Sequence, residues 1–284
     1  MPDPGAAFDG SSQVEEVSSR RDVAQLRRTW EAAEPHASAL ILHGISEHSG
    51  RYEHVGATLA KAGFRARSYD HHGHGRSGGT RGHVDSFDVF LEDVEDNLVE
   101  LRREGRPVAL LAHSMGGLIA LSYCLSGRPL PDVLLLSGPA VDAITPRWQR
   151  IAAPIAGRAI PKLFIKSEFD GSLLSTDPDV GARYAGDPLR VAGATSGLGF
   201  ALFTAMADVR ARLEELSVPT MVLHGGDDRI VPPASTEPIG ELAIATRRVL
   251  PGLAHEILNE PSWEASMRSY INFANGALGR SYSS

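Results

Sequence analysis

The 284-residue chain has one cysteine, Cys124. That excludes an internal disulfide framework and any multi-cysteine metal site, and its apolar neighbours predict a buried thiol. No stretch approaches the roughly 20 apolar residues that a membrane-spanning helix requires. Residues 1–12 carry Asp, Pro, Gly and Ser but neither the basic start nor the apolar centre of a secretory signal. The expectation is a cytoplasmic protein, at most peripheral to a membrane. Positive charge is also in short supply. The formal net charge is −7, and Lys and Arg are scattered apart from pairs such as Arg102-Arg103 and Arg247-Arg248. A phosphate backbone needs a basic face, so no nucleic acid partner is expected. Hydrophobic residues at 42% and charged residues at 22% lie in the globular range.

What is present is an alternation. Ala39 to His43, Arg65 to Asp70, Pro107 to Ala112, Asp132 to Ser137 and Pro219 to His224 are short runs suited to strands, the most apolar of them to strands buried on both faces. Between them Phe87, Phe90, Leu91, Val94, Leu98 and Leu101 recur at three- and four-residue steps, one face of a helix. The pattern predicts an α/β protein with a mostly parallel central sheet flanked by helices, whose chemistry gathers at the carboxyl ends of the strands. From Pro139 to about Arg210 no buried-strand run occurs, while Trp148, Ile151, Ile155 and Ile160 suggest an apolar helix face. The expected organisation is a disordered tail at 1–12, core at 13–138, an inserted helical cap at 139–210, core again at 211–276, and a tail at 277–284.

Leu110-Leu-Ala-His-Ser-Met-Gly-Gly117 ends an apolar strand and opens a helix rich in Leu, Ile and Ala. This is the context of a nucleophile elbow, G-x-S-x-G, in which small neighbours allow a strained turn that exposes the serine hydroxyl. The first position here is Ala112, still small. A serine needs a base held by a third group, in the order Ser, then Asp or Glu, then His. Of the two histidines after Ser114, His224 lies within a strand run, whereas His255 follows the loop Pro251-Gly-Leu-Ala254 and is the expected base. Asp227 and Asp228 both follow a strand, and spacing does not choose between them; either also suits a plain turn. Acyl transfer places negative charge on a carbonyl oxygen, so two backbone amides should face it: Met115 after the nucleophile, and Ile45 after the strand ending in His43-Gly44.

These segments together resemble the monoacylglycerol lipase family of α/β-hydrolases over about Ala39 to Phe273. His43-Gly-Ile-Ser-Glu-His-Ser-Gly-Arg-Tyr52 is similar to the family's H-G-x-x-E-H-x-x-R-Y. Asp70-His-His-Gly-His-Gly-Arg-Ser-Gly-Gly79 resembles D-x-R-G-H-G-x-S-x-G, and Tyr184-Ala-Gly-Asp-Pro-Leu189 resembles Y-x-x-D-P-L. Gly225 to Pro232 resembles G-x-x-D-x-x-x-P, which aligns Asp228 with the catalytic acid, and His255-Glu-Ile-Leu-Asn-Glu260 resembles the segment bearing the histidine. The resemblance implies a Ser114, Asp228, His255 triad and recognition of the substrate's alcohol by Glu47, Arg51, His113 and Tyr184. A loop-ordering ion pair is the alternative role for Glu47 and Arg51. Two departures stand out: Ala112 for the first elbow glycine and His72 for an arginine in the Asp70 loop.

The implied activity is hydrolysis of a lipid ester, monoacylglycerol, through an acyl-enzyme, with no cofactor. The alternatives are a broader carboxylesterase or lysophospholipase and a non-catalytic small-ligand-binding homologue. The His71, His72, His74 cluster lacks a carboxylate and cysteine constellation, so no metal is expected. The cap helix is expected to line an acyl tunnel and to touch a membrane surface transiently.

Overall fold

The computed structural model describes residues 12–144, 147–167 and 170–279, with only the backbone described for 147–152. In chain order the strands are β1 (Gln13–Ser18), β2 (Ala24–Trp30), β3 (Ala37–Leu42), β4 (Phe64–Tyr69), β5 (Val108–His113), β6 (Val133–Ser137), β7 (Phe164–Lys166), β8 (Gly193–Thr195), β9 (Thr220–Gly225) and β10 (Ala245–Leu250). The helices are α1 (Glu53–Lys61), α2 (Asp88–Arg102), α3 (Met115–Cys124), α4 (Arg147–Ala159), α5 (Pro178–Gly186), α6 (Ser196–Arg212), α7 (Glu237–Gly240) and α8 (Trp263–Ala277). Eight strands form one sheet in the order β1-β2-β4-β3-β5-β6-β9-β10. β1 and β2 are antiparallel to their neighbours, and β4, β3, β5, β6, β9 and β10 run parallel.

Both faces of the parallel part are covered, which is why its central strands read as continuous apolar runs. Leu40, Leu42, Leu110, Leu134 and Leu136 pack on the side of α2, α3 and α6. Their neighbours Ala39, Ile41, Leu111 and Leu135 pack on the side of α1 and α8. The helix face from Phe90 to Leu101 is buried in α2, and α3 is buried on every side. The five expected strands appear within one or two residues of their sequence limits. β1, β2 and β10 were not anticipated: they lie at or near the edges, and Glu15, Glu16, Arg27, Arg28, Arg247 and Arg248 break any apolar pattern.

The segment between β6 and β9 contains α4, α5, α6 and a small antiparallel pair, β7 with β8. Three-residue strands of this kind leave no buried-strand signal. Ile155 and Ile160 are exposed; the side chains of Trp148 and Ile151 lie outside the described residues. At the termini, residues 1–11 and 280–284 lie outside the description, but Ser12, expected in a tail, hydrogen-bonds Glu53 at 2.7 Å. Residues 277–279 likewise finish α8, with the Leu278 amide bonding Ala274. Among the described residues no helix is long and apolar enough to cross a membrane.

α1 lies so close to β2 that Gly56 faces the ring of the fully buried Trp30; a Cβ there would sit 2.2 Å from the indole. Gly56→Ala therefore tests the packing of this layer. Alanine improves helix propensity by about 1 kcal/mol, but overpacking a rigid buried ring costs about 1–3 kcal/mol. A lowered urea midpoint is the expected outcome, and an unchanged or raised midpoint would show that the indole yields freely.

Candidate active site

Because β3, β5, β6, β9 and β10 are parallel, the loops that follow them converge on one edge of the sheet. Ser114 follows β5 with φ +50° and ψ −116°, an uncommon conformation for a residue with a side chain. The turn is tied down on both sides. The Ser114 amide donates to Ser137 O at 3.0 Å, and Ser114 O accepts from Ala140 N at 2.9 Å and Leu118 N at 3.1 Å. Gly116 is required by close approach, since a Cβ there would lie 2.6 Å from the Leu42 carbonyl oxygen and 2.7 Å from that of His43. Ala112 keeps its methyl in the apolar cluster with Leu40 and Leu42, so alanine fits where the elbow pattern has glycine.

The Ser114 hydroxyl donates to His255 Nε2 at 2.9 Å, and His255 Nδ1 donates to Asp228 Oδ2 at 2.6 Å. Asp228 rather than Asp227 makes this contact. Asp227 is exposed, whereas Asp228 is buried and its Oδ1 accepts from the amides of Ile230 and Val231, both at 2.9 Å. His224, set aside on sequence grounds as a strand residue, also reaches the acid. Its Nε2 lies 3.0 Å from Asp228 Oδ2 and 3.1 Å from Val231 O, two acceptors that place the ring hydrogen on that nitrogen. Burial alone would raise the Asp228 pKa; hydrogen bonds from His224 and His255, with the charge of His255 and the Val231 amide, outweigh it and hold the carboxyl well below the usual range.

The loop after β3 lies against Ser114: a Cβ on Gly44 would sit 3.2 Å from Ser114 Cβ. Among the described residues neither the Ile45 amide nor the Met115 amide has a hydrogen-bond acceptor. Met115 is the first residue of α3, so the positive end of the helix dipole adds to its donor.

Three of the other expected site residues, Glu47, His113 and Tyr184, line a small recess together with Gly44, Ile45, Ser114, Leu174, Ile230, His255 and Glu256; the fourth, Arg51, lies behind Glu47 and lines a neighbouring cleft with His48 and Asp187. His113 Nδ1 lies 3.0 Å from Ser137 O, and its ring stacks 4.7 Å from that of His255. Burial and the neighbouring His255 lower its pKa to about 3. Tyr184 is buried on α5, with the guanidinium carbons of Arg51 and Arg190 at 5.2 and 4.9 Å from its ring centre. Glu47 and Arg51 form an ion pair at 2.9 Å, and Arg51 makes a second, two-pronged contact to Glu256 at 2.7 Å for each prong. The recess holds about 20 Å³, room for about one water and not for an acyl chain.

A profile of the serine aminopeptidase S33 hydrolase family matches residues 33–262. The chain is 34% identical over 238 residues to a monoacylglycerol lipase of Mycolicibacterium smegmatis, an alignment covering 80% of this chain and 84% of the relative. The chain belongs to the monoacylglycerol lipase family. To the human monoglyceride lipase it is 32% identical, over 82% of this chain and 80% of that one. A crystal structure of a monoacylglycerol lipase from Paleococcus ferrophilus superposes with a TM-score of 0.81 at 28% identity, covering 90% of this chain and 99% of that one. The fold is the α/β-hydrolase fold.

Several buried groups of this monoacylglycerol lipase family member carried no assignable role in the sequence. Glu260 Oε1 accepts from Ala254 N at 2.6 Å, while its Oε2 accepts from Thr176 N at 3.0 Å and Ser175 Oγ at 3.1 Å, tying the His255 loop to the segment between β6 and β9. Asp70 Oδ1 accepts from the Ser49 amide at 2.8 Å and Oδ2 from the Arg76 amide at 2.7 Å. His72, the departure in this loop, packs on Gly79, whose φ is +94° and whose Cβ would lie 2.3 Å from the ring. The contacts of Glu260 with Ser175 and Thr176 and of Asp70 with Ser49 join positions far apart in sequence, whereas Glu260 with Ala254, Asp70 with Arg76 and His72 with Gly79 lie within single loops.

His71 and His74 stack on His43, with ring centres 4.1 and 5.7 Å from it. Among the described residues no group of three or more His, Cys, Asp or Glu side chains is arranged to hold a metal ion. Burial lowers His71 to about 3 and His74 to about 4, and moves His43 well below its ordinary value. With His113, four imidazoles stay neutral in the fold but take up protons on unfolding below about pH 6.5. Their stability contribution is therefore complete above that pH and lost as pH falls toward 4, at up to about 1.4 kcal/mol per pH unit for each group. Glu47 and Asp93, whose pKa values burial raises, the second to about 6, oppose this as two groups against four. The urea midpoint is expected to drop steeply between pH 7 and pH 5; a flat profile would mean that these rings are solvated.

Proposed function

We propose that the protein hydrolyses monoacylglycerol to a fatty acid and glycerol, with Ser114 as nucleophile, His255 as general base and Asp228 as the group that holds His255. The reading is carried by the continuous hydrogen-bonded line from Ser114 Oγ to Asp228 Oδ2, and family membership supports it. Ser114 Oγ attacks the acyl carbonyl and passes its proton to His255 Nε2. Asp228 keeps the hydrogen on Nδ1 and stabilises the imidazolium. The carbonyl oxygen becomes an oxyanion received by the Ile45 and Met115 amides, each contributing about 3–4 kcal/mol. Collapse of the adduct expels glycerol, which takes the proton from His255. Water, deprotonated by the same nitrogen, then attacks the acyl-enzyme and releases the fatty acid. Every step uses groups of this chain and the substrate, so no cofactor is invoked.

His113 and Tyr184 line the recess beside Ser114 and His255, and we assign them to recognition of the alcohol. The acyl chain requires Leu174 and Tyr184 to withdraw, because the closed recess has no room for it.

A fluorophosphonate probe should label the protein, and Ser114→Ala should abolish both labelling and turnover; labelling that persists would remove Ser114 from its role. Asp228→Asn should lower kcat by about 10⁴, while Asp227→Asn stays within about twofold. Monoacylglycerol should be turned over faster than lysophosphatidylcholine or p-nitrophenyl esters of matched chain length. Faster turnover of the simple esters would favour the broader carboxylesterase.

The membrane contact belongs to the segment around α4. From Arg147 to Lys166 the sequence has five basic residues and no acidic one, in a chain of net charge −7. The same stretch exposes Ile155, Ile160, Leu163, Phe164 and Ile165. Basic residues flanking exposed apolar side chains suit an anionic lipid surface. Flotation with vesicles containing phosphatidylglycerol should carry the protein upward, and Lys162→Glu with Lys166→Glu should reduce it. No flotation at low salt would defeat this assignment.

A further inference from the structure

Glu256, next to the proposed base, is buried at 4% exposure and lines the recess beside Ser114 and His255. Both of its oxygens accept from Arg51, and Oε2 also accepts from Asn259 Nδ2 at 2.8 Å. Arg51 in turn donates to Glu47 Oε2 at 2.9 Å. The other oxygen of Glu47 accepts from the Gly44 amide at 2.5 Å and the Tyr52 hydroxyl at 2.8 Å. Gly44 immediately precedes Ile45. An unbroken line of charge-assisted bonds therefore runs from the backbone of the His255 loop to the peptide that orients one proposed oxyanion donor.

From this we infer that Glu256 is a positioning residue: acting through Arg51 and Glu47, it fixes the loop carrying the Ile45 amide relative to His255. The inference rests on the catalytic reading of Ser114 and His255 given above. Three considerations support it. The contacts described occupy both oxygens of Glu47 and both oxygens of Glu256, so these groups are committed to the protein as the site stands. A buried ion network is a weak source of stability, since desolvation offsets most of its attraction, but its planar two-pronged geometry restricts position closely. Finally, Ser46 in the same loop has φ +64°, a backbone setting that a residue with a side chain keeps only when its surroundings hold it.

This role differs in its consequences from recognition of the alcohol. An oxyanion donor serves every ester alike, whereas an alcohol-binding group matters only when the alcohol is glycerol. The experiment compares Glu256→Gln and Arg51→Lys with the wild type on a monoacylglycerol and on a p-nitrophenyl ester of the same acyl chain. Glutamine keeps the shape and one acceptor but loses the charge; lysine keeps the charge but cannot span two carboxylates. Both variants should lose kcat about tenfold or more on both substrates, with KM changed little. Glu256→Gln combined with Glu47→Gln should cost no more than the larger single effect, as expected of residues acting along one line. An unchanged kcat, or a loss confined to KM for the monoacylglycerol, overturns the inference. The wild type and Ser114→Ala are assayed alongside: full turnover by Ser114→Ala would indicate failure of the catalytic reading itself. Should Glu256→Gln fail to fold, Arg51→Lys gives the same comparison.

Discussion

A serine held at φ +50° and ψ −116° has a local cost of order 1–3 kcal/mol, and the surrounding site exists only because that cost is sustained. Its amide and carbonyl are fixed to the residues at and just beyond the end of β6, while Gly116 lets the next helix start against the end of β3. The result fixes the hydroxyl at the edge of the sheet and aims the start of α3 at the same point. Relaxing the turn toward ordinary strand or helix geometry would separate the Ser114 hydroxyl from His255 and rotate the Met115 amide away. Rigidity here comes from the core beneath it, where α3 is buried on all sides.

Around this fixed point the site is assembled from loops, and long-range polar bonds hold them in register. His255 is anchored through Glu260 and Ala254, Asp228 through His224 and two amides, and the loop after β3 through Glu47. Loops carry function in folds of this kind because the strands beneath them are stiff. The segment between β6 and β9 enters the same network: Glu260 accepts from Thr176, and His48 Nε2 lies 2.8 Å from Asp187 Oδ2. With the recess reduced to about 20 Å³, any motion that admits a lipid must occur while the bonds around Ser114 persist.

Much of this was legible beforehand, for a physical reason. Buried parallel strands must be apolar on both faces, so β3, β5, β6 and β9 announced themselves, and the elbow, acid and histidine sit at turns whose small or polar residues mark them. β1, β2 and β10 were not legible because an edge strand can be polar without penalty, and β10 places Arg247 and Arg248 side by side. Asp228 and Asp227 are equivalent to any spacing argument; only the family resemblance and then the geometry separate them. His224 was passed over because a histidine inside a strand reads as a core residue, which it is, although its Nε2 also meets the acid. Glu256 and Glu260 lay in a recognised segment, but their partners are up to 205 residues away in the chain, and no local pattern encodes such a pairing.

The placement of charge around the site matches the charges that the proposed acyl transfer would develop. On the imidazole side lies Asp228, held ionised despite burial, so a positive charge forming on His255 in the proposed reaction would meet a negative partner already in place. On the oxyanion side, a bare carboxylate would raise the barrier by repulsion. Glu47 lies there, yet its oxygens are turned onto the Gly44 amide, the Tyr52 hydroxyl and Arg51, and burial pushes its pKa up. Arg51 lies between Glu47 and Glu256, whose pKa its charge and hydrogen bonds pull down against burial. Under the proposed mechanism the guanidinium would neutralise a carboxylate that otherwise opposes the reaction, while the Ile45 and Met115 amides, which have no acceptor among the described residues, would receive the oxyanion. One cation between two acids satisfies both halves of the site only if its position is fixed, which is the reason for a fork of two bonds and not a single flexible ammonium.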